Sequence, residues 1–205
     1  MQPVIKGRIH YDEKVIHVKD EFCYDLNATD SKTKYVLAHS FVDERTQEKC
    51  VSFLRQIKQT CYRQIIDTYK KEKEKPKEKR KLITFVSDKF GNYKSAWRKL
   101  FYRVSKLAFG VPIACKKYGL EHNNNPIERY NQDIKDHIKT KRHFGSFEGA
   151  EEFLNLRRII KNFVNPHQQL KGETPAEAAE IDLKLGRNKL LNLIKYRAKT
   201  LLTKR

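Results

Sequence analysis

Three acidic residues stand where carboxylates could do chemistry. Asp12 lies in a loosely alternating stretch, Arg8 to Val18. Asp88 follows the continuous apolar run Leu82-Ile83-Thr84-Phe85-Val86, the pattern of a strand buried on both faces. Glu128 belongs to Asn123-Asn124-Asn125-Pro126-Ile127-Glu128-Arg129-Tyr130, which reads as the opening of a helix. Ligand sites gather at the carboxyl ends of strands in open α/β sheets. A mixed sheet could therefore bring the three acids together. A site built only of oxygen donors selects Mg²⁺ or Mn²⁺ over zinc. Two such ions, about 3.5–4 Å apart, would activate an attacking oxygen and stabilise a leaving one. Each acid also has a plainer reading. Asp12 could be a solvent-facing strand residue, Asp88 a turn or cap residue, and Glu128 half of a capping box with Asn125.

The elements that must position these acids are legible from periodicity. Arg8 to Val18, Glu21 to Ala28 and Tyr35 to Val42 read as three strands with short connections, an antiparallel meander. A long helix is expected from Thr46 to about Glu74, burying Cys50, Val51, Leu54, Ile57, Cys61 and Ile65. The lysine-rich run that follows is a solvated helix end and loop, with Pro76 as breaker. After the strand before Asp88, a helix should carry Trp97, Leu100, Phe101 and Val104 on one face, with Trp97 in the core. Phe109 to Cys115 is a further strand candidate, and Gly119 to Asn124 a loop. In the helix of Glu128, Ile127, Tyr130, Ile134 and Ile138 form the buried stripe. Lys135, Lys139 and Arg142 follow on roughly the side of Glu128, a row of cations suited to a phosphate backbone. Ser146 can cap a further helix with Phe153, Leu156, Ile160 and Phe163 as its inner row. Thr174-Pro175-Ala176-Glu177 opens a short one. The last stretch is a basic amphipathic helix around Leu190, Leu191, Ile194, Ala198 and Leu201, which could pack on the domain, hold DNA or meet a second subunit.

Composition narrows the partner. Among 205 residues, 44 are Lys or Arg and 25 Asp or Glu, a formal net charge of +19. That excess calls for a polyanion. Nucleic acid is favoured over a membrane, because no apolar run approaches the roughly 20 residues a spanning helix needs, and Met1 to His10 lacks the apolar core of a signal peptide. None of the four cysteines, Cys23, Cys50, Cys61 and Cys115, forms a C-x-x-C pair. They read as buried reduced thiols, which fits a cytoplasmic, nucleoid-associated protein.

In this order the motifs resemble prokaryotic insertion-sequence transposases of the DDE type. The nearest likeness is to the insertion-sequence-six group and its archaeal relatives. The residues that carry it are Tyr11-Asp12-Glu13-Lys14, Asp25-Leu26-Asn27-Ala28-Thr29-Asp30-Ser31, Val86-Ser87-Asp88-Lys89, and above all the block from Asn124 to Phe147. Asn162-Phe163-Val164-Asn165-Pro166-His167 and Gly172 to Ala178 complete it. The likeness spans about residues 8 to 180.

The resemblance implies an α/β, RNase H-like fold: a mixed five-stranded sheet flanked by helices, as in retroviral integrases, here with a basic C-terminal helical tail. Residues 1–165 would be the DDE catalytic core and 166–205 a helical basic extension. Asp12, Asp88 and Glu128 would be the catalytic, metal-binding triad for Mg²⁺ or Mn²⁺, two ions in all. The 39 residues between Asp88 and Glu128 slightly exceed the family's usual interval. Lys135 matches a basic position two turns after the Glu; Lys139 and Arg142 extend that DNA-binding side. The implied reaction is metal-dependent cleavage at an element end and transfer of the freed 3′-hydroxyl to target DNA, by a homodimer or larger assembly. Family members usually carry an N-terminal DNA-recognition domain; with Met1 so close to Asp12, none is expected in this chain. The alternatives are an inactive, truncated DNA-binding remnant and an RNase H-like nuclease that does not transpose.

Overall fold

The computed structural model describes residues 2–110, 125–139 and 143–202. Strands β1 (Ile9–Val18), β2 (Glu21–Asp30) and β3 (Val36–Val42) form the antiparallel meander anticipated from their spacing. Helix α1 (Gln47–Glu72) follows, capped by the Thr46 hydroxyl, which accepts from the Lys49 N–H at 3.3 Å. Strand β4 (Thr84–Ser87), helix α2 (Gly91–Phe101) and strand β5 (Lys106–Phe109) complete the first half. Then come α3 (Asn125–Ile138), α4 (Phe147–Phe163), the short α5 (Pro175–Ala178) and α6 (Lys189–Leu202). The sheet order is β3-β2-β1-β4-β5, with β1/β4 and β4/β5 parallel. This is the mixed five-stranded sheet that the resemblance implied.

Strand alternation sorts side chains between two cores. On one face Ile9, Tyr11, Leu26, Ala28 and Phe85 pack against α1 and α2, including all six apolar residues expected of α1. On the other, Ile16, Val18 and Cys23 pack against Ile127, Tyr130 and Ile134 of α3 and Ala150 and Leu154 of α4. Trp97 is buried, as expected, and its indole N–H donates to the Ser105 hydroxyl at 3.0 Å.

One expectation needs correction and another lies mostly outside the described residues. The strand that pairs with β4 runs over Lys106–Phe109, ahead of the candidate at Phe109–Cys115. Partnership with β4, Thr84 opposite Lys106 through Ser87 opposite Phe109, decided its position, and this pairing is invisible to a window that sees only apolar runs. Residues 111–115, with Cys115, and the loop expected at 119–124 lie outside the described residues. In α4, Leu156 is 52% exposed. The helix turns Ala150, Leu154 and Asn162 inward instead, with Phe153, Ile160 and Phe163 half-buried beside them.

Asn162 explains that rotation. Its amide accepts from the Val36 N–H at 2.9 Å and donates to the Val36 carbonyl at 3.1 Å, closing the free edge of β3. Gln56 of α1 does the same at His39, and Gln64 at Ile5. Three side-chain amides thus satisfy backbone that would otherwise be buried unpaired. A buried carboxylate ties the turn between β2 and β3 to the N-terminal segment. Asp30 accepts from the backbone of Lys6, Gly7, Lys32 and Thr33 and from the Thr33 hydroxyl. A Cβ at Gly7 would come within 2.4 Å of the Ser31 hydroxyl, so the close approach there requires glycine.

Replacing Asn162 with Ala leaves both Val36 groups unpaired in a buried place. The expected cost is about 2–3 kcal/mol, read as a lower urea midpoint at unchanged m-value.

Candidate metal centre

The pairing of β1 with β4 builds the site. Ile9 lies opposite Phe85 and His10 opposite Val86 in a parallel ladder. Continued in step, that register sets Tyr11 beside Ser87 and Asp12 beside Asp88. Asp88 directly follows the carboxyl end of β4, and Asp12 lies beside it as the fourth residue of β1. Asp12, Glu13 and Asp88, all partly buried, each place a carboxylate oxygen within 4.8 Å of the others.

These three acids are not electrostatically equal. Glu13 is paired with Arg45, whose guanidinium lies 4.6 Å from the ring centroids of both Tyr24 and Phe90. Its charge is therefore partly answered. Asp88 accepts from the Phe90 N–H at 3.0 Å, so it serves the turn into α2 while reaching the cluster. Asp12 accepts from the Glu13 backbone N–H and, at a long 3.4 Å, from the Asn131 amide, which also donates to the Glu13 carbonyl. Burial, and then the charges of Glu13, Asp88 and Glu128, push the Asp12 carboxyl up to about 7. Burial also pushes Tyr11 and Tyr93 above the usual phenol range, so neither supplies a charge.

Of the acids singled out in the sequence, the structure thus brings Asp12 and Asp88 together. Glu128 stands on the first turn of α3, exposed, outside the 4.8 Å cluster but near enough for its charge to act on Asp12. The capping alternative for Glu128 depends on the helix entrance, and the side chain of Asn125 lies outside the described residues, as do residues 111–124. Lys135, two turns along α3, is exposed on the flank of Glu128. Lys139 is exposed and lies 3.8 Å from the Asp136 carboxylate. Arg142 lies outside the described residues. Sequence reasoning did not single out Glu13, Arg45 or Asn131. Asn131 had a local signal, its place three residues after Glu128 on one helix. Arg45 had none, because its role depends on the sheet's fold.

A model of a DDE domain matches residues 6–167, most of the chain. The chain belongs to the DDE-domain family of transposases. The fold agrees. An integrase chain of the simian T-cell lymphotropic virus intasome, solved with the PP2A regulatory subunit B56 gamma, superposes with a TM-score of 0.56 at 9% identity. The alignment covers 88% of this chain but 56% of that one, so this chain spans little more than half of that integrase. The HTLV-2 integrase catalytic core, solved in a trimeric form with magnesium, gives a TM-score of 0.50 at 13% identity, covering 87% of this chain and 99% of that core. No curated protein sequence matches the chain. No helix among the described residues of this DDE domain is long and apolar enough to cross a membrane.

The oxygen-only donor set and the unanswered charge at Asp12 fit a hard divalent cation. The same facts give a pH signature without metal. The folded state holds the Asp12 proton up to about pH 7, whereas an unfolded chain releases it near 3.8. A carboxyl raised in the folded state costs nothing below pH 3.8, and its penalty grows as pH climbs towards 7. Asp12→Asn should therefore match wild type near pH 4 in divalent-free buffer and exceed its stability by about 1–3 kcal/mol above pH 7, allowing for screening at a partly exposed group. Denaturant melts across that pH range provide the check.

Proposed function

We propose that this DDE domain cleaves and joins DNA, with Asp12, Asp88 and Glu128 as the acids that hold two divalent ions, Mg²⁺ or Mn²⁺. The observation that carries the reading is the pair Asp12 and Asp88, brought side by side by the parallel strands β1 and β4, with burial first and the neighbouring carboxylates second keeping Asp12 partly protonated at neutral pH. Glu13 is the geometric competitor for the third place. Its pairing with Arg45 uses part of its charge, which leaves Glu128 as the acid free to close over a bound ion. Such ions supply Lewis-acid activation of the attacking oxygen and neutralise charge on the leaving one.

The chain's own residues do the rest. Asp12 and Asp88 present a fixed negative edge because β1 and β4 hold their backbones in register. Asn131 orients Asp12 by donating to it. Arg45 offsets part of the charge that Glu13 adds. Lys135 and Lys139 extend from the site as a cationic row for a phosphate backbone, where affinity falls steeply with salt. In the reaction, water attacks a phosphodiester phosphorus at the element end and the bond to the 3′-oxygen breaks, freeing a 3′-hydroxyl. That hydroxyl then attacks a target phosphodiester, forming one bond as another breaks. Joining two ends calls for two active sites, hence a homodimer or higher assembly.

The test uses element-end DNA with and without Mg²⁺. Asp88→Asn should lower cleavage and joining by at least a hundredfold while duplex binding persists. Equal activity in wild type and Asp88→Asn would refute the proposed chemistry. Cleavage without joining would point to a nuclease.

A further inference from the structure

A second cationic feature lies on the opposite flank of α3. A small recess, about 60 Å³, is lined by Lys34 from the turn before β3, Pro126 and Arg129 from the first turn of α3, Lys161 from α4, and His167 and Gln169 beyond it. Its size takes a tetrahedral anion but not a nucleobase. Arg129 follows Glu128 by one residue, about 100° around the helix. The recess is therefore separate from the row of Glu128, Lys135 and Lys139.

No carboxylate lines this recess. The two nearest acids are committed elsewhere. Asp30 is buried beneath five hydrogen bonds from the chain around it. Asp133 lies 3.4 Å from Lys161 and 3.8 Å from both Arg157 and His137. That answers part of the Lys161 charge and none of the charge on Arg129. The Lys34 amino group donates to the Ser31 carbonyl at 2.6 Å, a neutral partner. The Nδ1 atom of His167 accepts from the Gln169 N–H at 3.2 Å, so in the neutral ring Nε2 is the donor. The N-terminus of α3 adds a partial positive charge. These cations act on one another. Burial, then Arg129, lowers Lys34; burial, then Lys161, Lys34 and Arg129, lowers His167. Asp30 opposes the shift at Lys34 and Asp133 the shift at His167, but neither acid reverses it.

We propose that Lys34, Arg129, Lys161 and His167 form a pocket for one backbone phosphate of DNA, on the flank of α3 away from Glu128. The inference rests on the reading of the chain as a DNA-acting domain and deepens it. Acids on one flank of α3 would take the reacting phosphate, while the pocket on the other fixes the strand's position.

The test is binding without chemistry. Affinity of the full chain for a random-sequence duplex is measured in EDTA across a salt series. Arg129→Gln should reduce the slope of log K against log salt by up to about 0.9, the share of one phosphate, and weaken binding several-fold; adding Lys34→Gln should weaken binding further without taking the slope loss beyond about 0.9. Arg63→Gln, an exposed charge on α1 across the sheet, should leave the slope unchanged. In parallel, NMR titration of the His167 ring should show its pKa rising when inorganic phosphate is added, and the rise should vanish in Arg129→Gln of unchanged thermal midpoint. The proposal is overturned if Arg129→Gln keeps the wild-type slope, if Arg63→Gln loses as much, or if wild type shows no salt-dependent binding. A phosphate response of His167 with an unchanged duplex slope would assign the pocket to a small anion and overturn the DNA assignment. Because no divalent ion is present, these outcomes do not depend on whether Asp88→Asn abolishes cleavage.

Discussion

Two like charges held together against their repulsion are the constraint around which this domain is arranged. Asp12 and Asp88 come from strands far apart in sequence but parallel and adjacent in the sheet. Their backbones cannot separate without breaking the central ladder. Nor can the side chains escape fully into water, because α3 covers one face and Tyr93 and Phe90 border the other. The surplus negative charge is therefore stored in the fold until a cation relieves it.

The surroundings manage that charge selectively. Arg45, lodged between two aromatic rings, pairs with Glu13 and offsets part of its charge, although Glu13 still acts on Asp12. Asp88 is partly satisfied by the turn it starts. Asp12 has a backbone N–H and a long amide contact, too little to offset its burial, and it is Asp12 that carries the elevated pKa. The rigidity this needs comes from beyond the site. Asn162, Gln56 and Gln64 each bind both polar groups of one backbone residue, so the sheet's outer edge and the N-terminal segment are fixed by both helical layers. Helix α3 then separates the acid cluster, with Glu128, Lys135 and Lys139 on that flank, from the cationic recess around Arg129.

Much of this was legible in the sequence where the signal was local. The meander, the buried face of α1, the strand before Asp88 and the cap of α4 at Ser146 follow from period, turn residues and capping chemistry. Asp12 and Asp88 were identifiable because each sits beside a strand-like run. What the sequence hid was pairing. The register of β1 with β4, which alone makes the two acids neighbours, has no local mark. Nor does the cage around Arg45. Strand β5 went unnoticed because its partner, rather than its own apolar residues, sets where pairing begins. The α4 face was misjudged because an inward Asn162 looks polar in sequence but is consumed by β3 backbone. The phosphate pocket escaped notice because Lys34, Arg129, Lys161 and His167 are separated by up to 133 residues.

The most direct test of the account is calorimetric titration of the wild-type chain with Mn²⁺ at pH 7, repeated in buffers of different ionisation enthalpy. A carboxyl near pKa 7 that becomes a metal ligand must give up its proton. The account predicts saturable binding accompanied by release of roughly half a proton per chain, with the release lost in Asp12→Asn. No binding, or binding with no proton released to the buffer, would contradict it.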